Sequence, residues 1–217
     1  MALYESGHKI YLNIIYGKIR QRTNSEDEKA VRRENDSGKV FYERIYNGIS
    51  GLITNIYYKE NDEYGNSFEI TLKDREGKYN LSISENSRYC KDFLSKLPNV
   101  NLEKDVYISP FDFEPEGKRK VGLTIKQDGE KIYSYFLQKN DDNSFTQLHG
   151  FPEWEKDMSK DDLKIHFIKV SKFLREYTIK NIIPKLVEHE YDSTEQPSTE
   201  QPLTEEPPVE EVDDLPF

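Results

Sequence analysis

Cysteine is nearly absent. Cys90 is the only one in 217 residues, so no disulfide can form within the chain, and a reducing, cytoplasmic location is expected. The four histidines, His8, His149, His166 and His189, are scattered without metal-ligand spacing, which argues against a zinc site. No apolar run approaches the roughly 20 residues a membrane span requires, and Met1-Ala2-Leu3-Tyr4-Glu5 lacks the basic flank and apolar stretch of a signal peptide. The expectation is a soluble chain with no membrane partner. Gly-rich phosphate loops and local nucleophile signatures are also missing, so neither an enzyme nor a cofactor is expected. The acidic pair Asp161-Asp162 is explained more simply as favouring a helix macrodipole than as nuclease chemistry.

Basic residues stop at Lys185. Residues 186–217 hold eleven of the 41 acids and no Lys or Arg, which leaves the body with 31 basic against 30 acidic residues. The net charge of −10 is therefore a property of the tail, and a polyanionic partner for the body is not excluded. This split also predicts that the tail competes with nucleic acid for the body.

What is plentiful is aromatic: 15 Tyr and 11 Phe. His8 to Ile19 reads as a strand, followed over Arg20 to Lys39 by a charge-balanced segment expected to be a mobile loop. Val40 to Tyr58 reads as one curved strand bent at Asn47-Gly48 and Ser50-Gly51. Phe68–Leu72 and Tyr79–Ile83 alternate about the turn Asp74-Arg75-Glu76-Gly77 and predict a hairpin. A short helix presenting Tyr89, Phe93, Leu94 and Leu97 follows, stopped by Pro98. Beyond it come a strand over 105–113, a loop, and a hairpin through Asp128-Gly129. This order resembles the OB-fold, a five-stranded barrel with a helix between its third and fourth strands, placed at about residues 40–137. Ser159-Lys160-Asp161-Asp162 reads as a capping box opening a long helix over about 159–183, with Leu163, Phe167, Val170, Leu174 and Tyr177 on its apolar face. The fold class expected is mainly β with helices, in a body of residues 1–185.

From Ser193 to Pro207 three near-copies of one pentapeptide, Ser-Thr-Glu-Gln-Pro, repeat. Proline-rich, acidic and poor in apolar residues, residues 186–217 are expected to be disordered. They finish on Asp213-Asp214-Leu215-Pro216-Phe217, where a terminal ring and α-carboxylate suit an apolar pocket with a basic rim. That tip resembles the C-terminus of bacterial and phage single-stranded DNA-binding proteins. The resemblance implies an OB-fold body, a flexible linker and a tip that recruits replication, recombination and repair proteins, in a divergent and phage-encoded relative working in the host cytoplasm.

Binding a single strand without strong sequence preference requires cations along the phosphates and rings on which bases stack. Lys73, Arg75 and Lys78 flank the first hairpin turn beside Tyr79, and Lys118-Arg119-Lys120 follows Phe111 and Phe113 in the loop between the fourth and fifth barrel strands. Adjacent Tyr57 and Tyr58 must face opposite ways, so at most one is expected in the barrel interior, and Tyr107 alternates away from Val106 and Ile108. These nine are the candidate contacts with single-stranded DNA. The alternative reading is a protein-interaction adaptor whose β body binds no nucleic acid.

Overall fold

A computed structural model describes residues 9–186 apart from 36, 143, 155 and 156, so the tail and its tip lie outside the described residues. Ten strands form one sheet: β1 (Ile10–Ile15), β2 (Lys18–Thr23), β3 (Val31–Glu34), β4 (Val40–Tyr46), β5 (Ile49–Lys59), β6 (Ser67–Lys73), β7 (Lys78–Ser84), β8 (Val106–Phe113), β9 (Lys120–Gln127) and β10 (Glu130–Ile132). A small hairpin, β11 (Leu137–Lys139) with β12 (Phe145–Gln147), stands apart, and the helices are α1 (Arg88–Lys96) and α2 (Lys160–Asn181). Among the described residues no helix is long and apolar enough to cross a membrane.

The expected long first strand is two. Tyr16 and Gly17 both take positive φ, 50° and 68°, and reverse the chain between β1 and β2. Gly17 is required there twice over, because a Cβ would also stand 2.5 Å from the Asp112 nitrogen on β8. The expected loop over 20–39 is likewise corrected: β2 and β3 both pair antiparallel with β4. Two of its arginines are held by cross-strand pairing, Arg20 and Arg33 both bonded to Glu43 on β4. The curved strand of 40–58 divides at Asn47-Gly48 into β4 and β5. Gly51, at φ 156°, passes so close to the Lys73 carbonyl that a Cβ would stand 2.9 Å away, and here β5 leaves β8 and takes up β6.

The hairpin of β6 and β7 pairs in continuous register from Ser67↔Ser84 to Lys73↔Lys78. Its inward residues Phe68, Ile70, Leu72, Leu81 and Ile83 are almost wholly buried with Ile53, Ile56, Val106, Ile108, Leu123 and Ile125. Each such side chain contributes about 1.5–3 kcal/mol through burial. Ser87 caps α1 by accepting from the Cys90 amide at 3.0 Å. The helix then lies on β9, where Asp92 accepts from the Leu123 amide at 2.6 Å and Lys96 donates to the Leu123 carbonyl.

The sheet order is β10-β9-β8-β5-β6-β7-β1-β2-β4-β3. The meander β5-β6-β7, the helix after it, β8 on β5 and β9 on β8 follow the expected order. The sheet does not close on itself, because β1 lies parallel on the outer edge of β7, Leu12 opposite Leu81. The β1–β2 turn then meets β8, and the Gly17 amide donates to the buried Tyr89 hydroxyl at 2.8 Å.

On α2, Ser159 and Asp162 make the capping box reciprocally. The buried stripe differs from the expected one: His166, Val170, Leu174 and Thr178 recur every fourth residue and continue through Ile182 and Leu186, while Phe167 is 46% exposed. A strict spacing of four drifts round the helix, which is why the spacing of three and four misplaced it. The polar members of the stripe lie under neighbours, His166 edge-on to Trp154 at 5.2 Å between ring centres. Phe136, fully buried, gathers Tyr135, Phe151, Phe173 and Tyr177 around it and ties α2 to the body.

Candidate nucleic-acid interface

Alternation along each strand sends every second side chain away from the core, and register lines those residues up across strands. On β5, one extra residue at Thr54 shifts the pairing, after which Tyr57 lies opposite Glu69 on β6. Glu69 lies opposite Ser82 and Thr71 opposite Asn80 on β7. Tyr11 and Asn13 on β1 lie beside Asn80 and Ser82. The row continues through Arg20 beside Asn13, Glu43 beside Arg22, and Arg33 beside Phe41. One face of the sheet thus carries tyrosines, a polar centre and a cationic end.

The centre is unusual in being buried as well as polar. Glu69 is 6% exposed, yet it meets hydroxyl and amide donors rather than a cation: Asn80 Nδ2 at 2.7 Å, Ser82 Oγ at 2.7 Å and Ser67 Oγ at 3.0 Å. Three donors offset the cost of burying a carboxylate away from water. The Tyr57 hydroxyl is held above its ordinary pKa by burial, then by the Glu69 charge and by Tyr11. Both rings stay open to solvent, Tyr11 at 64% and Tyr57 at 43%.

At the cationic end, Arg33 grips Glu43 through two bonds of 2.9 Å and Arg20 adds one of 2.8 Å. The Glu43 carboxyl is pushed below its ordinary pKa by the Arg33 bonds first and Arg20 next, against its burial. Two guanidinium groups on one carboxylate leave positive charge over. Arg22, Arg33 and Lys39 lie over the Phe41 ring at 4.5, 4.9 and 5.7 Å, and Arg22 has no carboxylate partner among the described residues. Cations gathered over one ring concentrate positive charge where a phosphate can be met.

Of the nine residues expected from sequence, Tyr57, Lys73 and Lys78 belong to this face, and both lysines are exposed at the β6–β7 turn. Arg75 sits in that turn among Asp74 and Glu76, which lower the local potential. Tyr79 alternates to the opposite face, half-buried against the core, because its neighbours Lys78 and Asn80 take this one. Tyr107 pairs with Ser50, at the other end of β5 from Tyr57, about 20 Å along the strand. Its ring packs on Gly48, where an added Cβ would come within 2.6 Å. Lys118 and Lys120 are exposed, whereas Arg119 is held by both carboxylate oxygens of Asp112 at 2.8 and 2.7 Å. The tip residues 213–217 lie outside the described residues.

Sequence reasoning missed Tyr11, Arg20, Arg22, Arg33 and Phe41. For Arg20 and Arg22 the signal was the alternation within Arg20-Gln21-Arg22, masked by the balanced charge of the segment. Among the described residues no group of three or more His, Cys, Asp or Glu is placed to hold a metal ion. No protein-family model, curated protein or solved structure matches this chain.

Proposed function

We propose that this chain binds single-stranded DNA across the outer face of β5, β6, β7, β1, β2 and β4, and recruits replication, recombination and repair proteins through Asp213–Phe217. The observation that carries the reading is the continuity of exposed Tyr57 and Tyr11 with the cations around Phe41 on one face. Rings spaced along a face stack successive bases, and the cations follow the backbone. Strands β5 to β9 with α1 supply the strand order of an OB-fold, a body often used for single strands, with β1 occupying the edge of β7. The acidic tip is the kind of end that partners capture through a ring pocket and basic rim. The family suggested by this tip is that of bacterial and phage single-stranded DNA-binding proteins.

The test is ultraviolet cross-linking of the full chain to a single-stranded oligonucleotide, with the attached peptides identified by mass spectrometry. Cross-links at Tyr11 and Tyr57 are expected. Cross-links confined to Tyr107 and the 118–120 loop would move the site elsewhere, and none at any salt concentration favours a protein-binding adaptor.

A further inference from the structure

Among the described residues, three buried side-chain polar atoms lack any hydrogen-bond partner, and two belong to this face: Asn80 Oδ1 and Arg20 Nε. Leaving a buried polar atom unpaired costs free energy, so such an atom calls for an explanation. Asn80 is 4% exposed, and its amide nitrogen is already committed to Glu69, which fixes the orphaned oxygen as an acceptor. Beside it, Glu69 Oε2 has met only the Asn80 amide and retains acceptor capacity, whereas Oε1 already accepts from Ser67 and Ser82. The floor between Tyr11 and Tyr57 is therefore rich in acceptors. Arg20 Nε, one strand beyond Asn13, is a donor without an acceptor, as a phosphate oxygen would require.

We infer that this floor reads the edge of one base and selects an amino-bearing base, cytosine, adenine or guanine, over thymine. The inference rests on the DNA-binding reading and adds a preference to it. Cytosine, adenine and guanine present an exocyclic NH₂ donor, whereas thymine presents carbonyl acceptors on both sides of its single N–H. Against Glu69 and Asn80 Oδ1 the first pattern pairs and the second repels. Entry of the base displaces the exposed Tyr11 and Tyr57 rings, which stand beside Asn80 and Glu69 in register and then flank the base. Arg20 takes the adjoining phosphate.

Full-length protein is titrated with oligo-dC, oligo-dA and oligo-dT of about 16 nucleotides, the upper site size of one OB-fold. Oligo-dC and oligo-dA are expected to bind about tenfold tighter than oligo-dT at equal salt, within the range one well-paired base edge provides. Glu69→Gln, which puts a donor where an acceptor stood, brings the dC/dT ratio to within about twofold, as does Asn80→Ala. Equal binding of the three by wild-type protein, or tighter binding of oligo-dT, overturns the preference and leaves the DNA-binding reading intact. A dC/dT ratio unchanged in both variants also overturns it, since a purely structural loss weakens all three alike. Absence of binding to every oligonucleotide at low salt overturns both.

Discussion

Arg175 on α2 donates to Glu85 at 2.8 Å, and the same guanidinium group reaches the Tyr58 hydroxyl at 3.1 Å. Tyr58 in turn donates to Glu85 at 2.7 Å, so one helix residue holds the inward neighbour of Tyr57. Arg175→Met is expected to destabilise the fold by about 2–3 kcal/mol, below the full cost of breaking a buried pair because the side chain is 28% exposed. Urea unfolding measures the loss. A change under about 0.5 kcal/mol, the level of an ordinary surface substitution, would show that α2 docks through its apolar stripe alone.

Glu43 gives the stability a definite pH dependence. Its folded pKa lies below the ordinary 4.5, so its ion pairs contribute fully above that value and are lost as pH falls through the lower folded one. Glu43→Gln should cost about 3 kcal/mol at pH 7, with the gap from wild type closing in acid. Unfolding curves at neutral and acid pH provide the comparison. A gap independent of pH contradicts the assignment.

Salt dependence separates cations free to meet phosphate from those already taken. Arg22→Ala should weaken binding to every sequence and lower the slope of log K against log salt by about 0.7, one phosphate contact on a single strand. Arg119→Ala should change it less, since Asp112 holds that guanidinium at 2.7 Å. Equal slopes for the two variants would remove the distinction drawn between them.

Much of the fold was legible in the sequence because local rules and tertiary packing agree there. The β6–β7 hairpin has clean alternation about a turn built on Asp74, whose carboxylate accepts from the Glu76 and Gly77 amides at 2.8 and 2.9 Å. The capping box at Ser159 is local in the same way. The segment over 20–39 was not legible, because β3 pairs only with β4 and Arg33 finds its partner in Glu43 ten residues on. For the site, alternation sufficed to turn one of Tyr57 and Tyr58 outward, but Tyr11 acquired its place only when β1 settled in parallel on β7, a pairing set by no local signal. Tyr79 lies next to Lys78 in sequence, yet alternation turns it to the opposite face with Leu81 and Ile83.

The tail offers a separate test. Removing Phe217 should leave oligonucleotide affinity unchanged and abolish recovery of replication and repair proteins on immobilised full-length chain from bacterial lysate. Undiminished recovery would refute docking through the tip.

The most direct measurement is equilibrium titration of single-stranded oligonucleotide, followed by tyrosine and Trp154 fluorescence, for wild type, Tyr11→Ala and Tyr57→Ala. The account predicts binding by wild type at low salt, and a loss of about tenfold for each variant, the size of one base stack. Both rings are exposed, so neither substitution should lower stability appreciably. Wild-type protein that fails to bind, or variants that bind as wild type does, would contradict the claim that this face holds the strand.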